Sequence, residues 1–405
     1  MGNKVGLAAR VASIIEPIDP DRPLIDLFGG MCSVAGAVAP SGRQVIVNDV
    51  QSYARLVASC LIASQNHPPK PQEALAALVP AYRDNLAALR DRFDVALRDE
   101  HRILVGASLD GYRAAQAAWR HVGNDEALAV EATRLRTNRA ESPHRLATIT
   151  FAWGYFGLQQ AIELDSLRAG IDTAAASGRL SPDQAAWCRL ALLQVASRVA
   201  SAPGHFAQYL RGESPAALRR IIAARRRSVF DGFFDDLSHL RPYGSAAWRQ
   251  RNRVFRQDAL RLWCDLDDAT LGPSIFYADP PYSKEHYSRF YHVLETLERY
   301  DYPPAVGVGR YRPDRFVTAL GTKRGVVAAL GGVCHEIAVR NGILVLSYPS
   351  SGLLTRALGV DPADLLGEHF RHVELAIREA QHHSTLGGRH GDAWRPVTEY
   401  VWIAR

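Results

Sequence analysis

The chain has 405 residues, of which 47% are apolar and 22% charged, and a formal net charge of +6. That balance is a globular one with material for a sizeable core, and it excludes a disordered or low-complexity chain. No apolar run approaches the ~20 residues of a membrane span, so no membrane partner is expected. Met1–Glu16 lacks a positive flank followed by a continuous apolar stretch and does not read as a signal peptide. The five cysteines, Cys32, Cys60, Cys188, Cys264 and Cys334, are odd in number and scattered. They indicate reduced thiols and a cytoplasmic location rather than a disulfide framework.

In chain order, Pro23–Phe28 is a short apolar run ending in glycines, which predicts a buried strand. Ser33–Ala39 is small and apolar enough for a crossover helix, and Gln44–Asn48 predicts a second strand closed by Asp49. Together they predict one strand–helix–strand unit of a parallel sheet. From about Ala54 to Arg227 the sequence turns alanine- and leucine-rich with helical spacing. The clearest helices are expected at Ala81–Arg98, Ile162–Ala176, Pro182–Ala200 and Ala216–Arg227, with Ser181 as an N-cap. Strands resume at Arg253–Phe255, Ser274–Ala278 and Ile343–Ser347. Val373–Arg378 and Glu399–Ala404, around a Gly/His-rich loop, predict an antiparallel pair at the edge of a mixed sheet. The expected class is α/β, interrupted by a large, mainly helical insertion.

Charge is concentrated in one place. Arg211 to Arg261 holds twelve arginines against five acids, a surplus of seven in one eighth of the chain. Arg219, Arg220, Arg225, Arg226 and Arg227 crowd one predicted helix. Such a stretch is either a phosphate-binding footprint or a solvated face in an arginine-rich chain. The five cannot all face one way, since adjacent helical residues point about 100° apart. Arg220, Arg226 and Arg227 are the candidate nucleic-acid contacts.

Two loops carry chemistry. Asp26-Leu27-Phe28-Gly29-Gly30 follows the first strand, where glycine lets a backbone turn sharply against a ligand. Asp49 ends the second strand, where an acid bonds ribose hydroxyls or caps a helix. The stronger signal is Phe276-Tyr277-Ala278-Asp279-Pro280-Pro281-Tyr282, a strand running into an acid, two prolines and an aromatic. An aromatic amino group is a poor nucleophile because its lone pair is delocalised into the ring. A carboxylate and a fixed carbonyl accepting its two hydrogens would localise that lone pair. An aromatic ring beside them suits an extruded base. His382, His383 and His390 lack a partnering acid or cysteine, so no metal is expected.

Asp279-Pro280-Pro281-Tyr282 resembles the catalytic tetrapeptide of DNA adenine amino-methyltransferases, and Asp26 to Gly30 is similar to their cofactor loop. Gly2-Asn3-Lys4 resembles the segment that opens the Dam-like (alpha) group, whose motif order this chain shares. Val254 to Asp258, Tyr291 to Thr296 and Ser347 to Gly352 also resemble segments of that family. The resemblance implies a Rossmann-like fold that binds S-adenosylmethionine and methylates adenine-N(6) in double-stranded DNA. It implies methyltransferase parts at 1–58 and 246–405, with a target-recognition insertion at 59–245. Lys4 and the Phe28, Gly29 and Gly30 backbone would hold the methionine end, with Asp26 in the same loop. Asp49 would hold the ribose, and Asp258 would lie near the adenine. Asp279 and the Pro280 carbonyl would accept the target hydrogens, Pro281 would stiffen the loop, and Tyr282 would stack on the flipped base. One departure is Cys32, where the family usually has a second glycine. The alternatives are an RNA adenine methyltransferase and a DNA-binding protein with weak or lost catalysis. A cognate restriction enzyme or another defence component is a further candidate partner.

Overall fold

Short apolar runs become the centre of one sheet because both of their faces are covered. The structure, a computed structural model, describes residues 5–283, 287–384 and 394–405. Strands β1 (Leu24–Asp26), β2 (Val45–Asn48), β3 (Arg253–Phe255), β4 (Ile275–Ala278), β5 (Ile343–Pro349), β6 (Val373–Ser384) and β7 (Trp394–Ala404) form one sheet. Its order is β3-β2-β1-β4-β5-β7-β6. The strands from β1 to β5 pair in parallel, whereas β7 runs antiparallel to both β5 and β6. Every residue of β1, β2 and β4 is buried, as expected of parallel strands with helices on both faces. The order 3-2-1-4-5 is compatible with a Rossmann-like fold, in which ligands lie beyond the carboxyl ends of the strands.

Two compact units make up the chain. The first comprises 1–65, 242–288 and 316–405 and contains the sheet. Its early helices are α1 (Val5–Ile15), α2 (Ser33–Val38) and α3 (Ser52–Ala58). Arg43, 5% exposed, locks the turn after α1, donating to the carbonyls of Ile18 at 2.7 Å, Asp19 at 2.7 Å and Arg22 at 2.5 Å. The core on one sheet face joins Ile25, Ile46, Phe276, Leu344 and Trp402 to the helix Val326–Val339 through Leu330, Val333 and Ile337.

The second unit comprises 66–241 and 289–315. Its helices are α4 (Pro71–Arg92), α5 (Asp94–Gly106), α6 (Leu109–Ala118), α7 (Glu126–Thr137), α8 (Leu146–Phe151), α9 (Leu158–Ala176), α10 (Pro182–Val199), α11 (Pro215–Arg225) and α12 (Val229–His239). Ser181 caps α10 as expected, accepting from the Gln184 amide while Gln184 accepts from the Ser181 amide.

Three expectations change. The single helix expected at Ala81–Arg98 is two, broken at Phe93, and the first runs through Pro80. Tertiary packing overrides the proline: α4 lies so close to α9 that a side chain at Gly170 would meet the Leu78 carbonyl at 2.9 Å. Residues 289–315, expected within the C-terminal part, pack with the helical unit instead. The Phe206 amide donates to the Phe290 carbonyl at 2.8 Å, and the Tyr300 hydroxyl to Asp165 at 2.6 Å. The closing pair is longer than expected, so 382–383 belong to β6 rather than to a loop. Continuous backbone pairing carries polar residues that lack an alternating apolar signal. Among the described residues no helix is long and apolar enough to cross a membrane.

Candidate active site

The loop after β1 is shaped by glycines at both of its tight places. Gly29 donates to the Asn48 carbonyl at 2.9 Å, and a side chain there would sit 2.2 Å from the Val47 methyl. Only glycine allows that approach to β2. Gly30 has φ +48, and its amide donates to the Asp49 carboxylate at 3.0 Å. The other Asp49 oxygen accepts from the Gln51 amide at 2.9 Å. Asp49 therefore turns the chain ahead of α3 and ties it to the glycine loop, but the N-cap position itself is Gln51.

Cys32 explains its own departure from glycine. It is fully buried with φ 59 and ψ 30, the left-handed conformation that glycine adopts without strain. Burial first, then the carboxylates of Asp26 and Asp49, push its thiol well above the usual range, so it is an inert packing group. Among the described residues no cysteine is in a disulfide, and Cys264 is the exposed one.

Asp26 ends β1 and is 2% exposed. Its carboxylate accepts from the Phe28 amide at 3.2 Å and so orients the glycine loop. Burial raises its pKa to about 7; the Phe28 amide opposes this, and repulsion from Asp279 and Asp49 adds to it. The carboxylates of Asp49 and Asp279, at the carboxyl ends of β2 and β4, thus both act on Asp26 at the end of β1.

Asp279 is half-buried and Pro280 buried just past β4. The Tyr282 carbonyl accepts from the Leu353 amide at 2.8 Å. Its ring meets Tyr287 and Tyr348 edge-on, at 6.3 and 6.5 Å between centroids. Tyr348 is itself buried, and its hydroxyl accepts from the Leu354 amide. The ring of Tyr282 is thereby steadied from two sides while remaining partly exposed. Behind this loop Ser347 donates to the buried Glu399 at 2.9 Å, and Ser347 also bonds Tyr277.

Asp258 is half-buried after β3 and accepts from the Leu260 amide at 3.0 Å. Sequence reasoning missed Asn48, which links this loop to the one after β1. Its only signal was an amide at the end of a strand, immediately before Asp49. Lys4, Gly2 and Asn3 lie outside the described residues, as does His390. Among the described residues no group of three His, Cys, Asp or Glu could hold a metal ion.

In the helical unit the arginine cluster divides. Arg219, Arg220, Arg226 and Arg227 are exposed along one side of α11 and the turn after it, together with Ala216 and Ala223. Arg225 faces inward, so the five do not form one surface. It pairs with Glu100 at 3.3 Å, donates to the Tyr112 hydroxyl at 3.0 Å, and lies 4.7 Å from the Trp153 ring centre. Helical geometry decides this: the buried Leu218, Ile221 and Ile222 share its side of α11. Arg227 also donates to the Arg198 carbonyl at 2.5 Å. His292, within the Tyr291 to Thr296 segment, is a packing residue. It is fully buried against Tyr155 and the Phe206 carbonyl, and burial lowers its pKa to about 3.

No protein-family model matches the chain. A stretch of 103 residues is 36% identical to the Type II methyltransferase M.FokI of Planomicrobium okeanokoites. That stretch is 25% of this chain and 15% of the relative, so the similarity spans a minor part of both proteins. It supports a relation to a methyltransferase.

Proposed function

We propose that the protein is an S-adenosylmethionine-dependent methyltransferase of the Dam-like group, acting on the exocyclic amino group of an adenine extruded from duplex DNA. The observation that carries this reading is the convergence of three segments at the carboxyl ends of adjacent strands. They are the Gly29–Gly30 loop after β1, Asp49 after β2, and Asp279 to Tyr282 after β4. The similarity to part of M.FokI, a Type II methyltransferase, supports the same chemistry.

The residues fit the cofactor on two counts. A side chain at Gly30 would meet the Phe28 carbonyl at 3.8 Å, an ordinary contact, so the loop is not crowded there. The surrounding charge is negative: Asp26 holds its proton up to about pH 7 chiefly because it is buried, and the carboxylates of Asp279 and Asp49 add to this. A cationic ligand relieves that repulsion. Bound S-adenosylmethionine supplies an electrophilic methyl group on a positively charged sulfur. The chain supplies alignment, and no covalent enzyme intermediate is needed. Asp279 and the Pro280 carbonyl accept the two amino hydrogens, which turns the nitrogen lone pair out of the ring. Phe28–Gly30, Asp49 and Asp258 would hold the cofactor; as the nitrogen took the methyl, the S–C bonding pair would stay on sulfur and Asp279 would accept the amino proton and pass it to solvent. Tyr282 stacks on the extruded base. The exposed arginines on α11 hold phosphates irrespective of sequence.

The test is transfer of a tritiated methyl group onto unmethylated duplex DNA and onto structured RNA. Label in adenine of the DNA is expected, and single-molecule sequencing then gives the methylated motif. Label confined to RNA overturns the choice of polymer. Asp279→Ala loses turnover by more than about a hundredfold, with Asn retaining more than Ala. Unchanged turnover in the Ala variant removes Asp279 from the reaction.

A further inference from the structure

We propose that Asn48 is a positioning residue that holds the three cofactor-facing segments in one register, a role that rests on the cofactor reading above. Asn48 is the last residue of β2 and is 1% exposed. Its side-chain nitrogen donates to the Leu27 carbonyl at 3.3 Å and to the Gln257 carbonyl at 3.1 Å. Its side-chain oxygen accepts from the Gln257 amide at 3.0 Å, and its own carbonyl accepts from Gly29 at 2.9 Å. Leu27 immediately precedes Phe28–Gly30, Gln257 immediately precedes Asp258, and Asp49 follows Asn48 itself. One buried amide is therefore bonded beside each of the segments assigned to the methionine, ribose and adenine parts of the cofactor.

Sheet pairing does not perform this task. The β1–β2 register ends at Asp26 and Val47, and the β2–β3 register at Asn48 and Phe255. Past those residues the backbone link between the β2 and β3 loops is one long bond, from Asp49 to Phe255 at 3.4 Å. The Asn48 side chain continues the lateral connection where the strands have already diverged. Only a primary amide offers two N–H donors and an oxygen acceptor in one plane at this length of side chain. Aspartate accepts from Gln257 but turns carboxylate oxygens towards two carbonyls and stands next to Asp49. Alanine leaves two carbonyls and one amide without their side-chain partner.

A ligand that spans all three segments senses their relative placement, and a fragment that touches one segment does not. Asn48→Ala and Asn48→Asp are therefore compared with wild type in binding S-adenosylhomocysteine by calorimetry, and adenosine and methionine separately by saturation-transfer NMR. Whole-ligand affinity is expected to fall by about tenfold or more, while each fragment changes by less than about twofold. In turnover assays the Michaelis constant for the cofactor rises more than the saturated rate falls. Asn48→Ser, which keeps one donor and one acceptor, recovers part of the affinity and serves in place of the Ala variant should that fail to fold. Variants that melt like wild type and bind the whole ligand within about twofold of it overturn the role. So does an equal loss for fragments and whole ligand, which marks simple local damage. Wild-type protein that binds no S-adenosylhomocysteine overturns the cofactor reading, a result distinct from a variant that binds normally.

Discussion

The two units treat buried charge in opposite ways. In the helical unit each deeply placed acid is met by donors or by a cation. Glu100 accepts from the Leu158 and Gln159 amides and pairs with Arg225. Asp165 accepts from two amides, the Thr148 hydroxyl and the Tyr300 hydroxyl. Asp301 is held by both outer nitrogens of Arg312. These arrangements close upon themselves and fix a packing geometry. At the carboxyl ends of the central strands Asp26 has one amide donor, and the charges acting on it are the carboxylates of Asp279 and Asp49. A buried acid facing other acids is costly as a structural device, which points to a ligand bearing positive charge. Charge that is satisfied internally marks scaffold, and charge left opposed is what the proposed cofactor site calls for.

The largest effect that sharpens this contrast is expected at Arg225. Arg225→Ala strands Glu100 in a buried setting and should cost about 3–5 kcal/mol of stability, measured by urea unfolding. A loss below about 1 kcal/mol would make the pair no more than a surface ion pair in its energetics. By contrast, changing Arg220, Arg226 and Arg227 together to Gln should leave stability nearly unchanged. It should weaken binding to any duplex and flatten the dependence of log affinity on log salt by about 0.9 for each phosphate no longer neutralised. A wild-type salt slope in that triple variant identifies a solvated face.

The ends of the central strands yield a pH prediction. Folding raises the Asp26 pKa from 3.8 to about 7, so its contribution to stability is present at low pH and is lost as pH rises towards 7. Binding of a cation favours the ionised form, so cofactor affinity should increase with pH up to about 7 and then level off. The slope should be at most about tenfold per pH unit, and Asp26→Asn should remove it. Calorimetry showing a flat profile from about pH 5.5 to 8 in wild type breaks the link between opposed charge and ligand.

Smallest is the effect at Cys32. Cys32→Gly and Cys32→Ala both lose the buried sulfur, but only alanine keeps the left-handed strain. The glycine variant should be the more stable by about 1 kcal/mol in thermal unfolding. Equal stabilities would mean that the loop relaxes out of its positive φ.

By itself the sequence determined the central strands and the two chemistry-bearing loops, because these signals are local. Apolar runs such as Gln44–Asn48 must be buried wherever they go, and Asp279-Pro280-Pro281-Tyr282 has a backbone that no helix can accept. The tertiary structure alone decided what the inward-facing Arg225 meets, because Glu100 lies 125 residues away. It likewise decided that 289–315 joins the helical unit, that α4 continues through Pro80, and that Asn48 braces two loops. Each of these outcomes depends on partners distant in the chain, and hydrogen bonds and close packing between distant segments leave no periodicity to read.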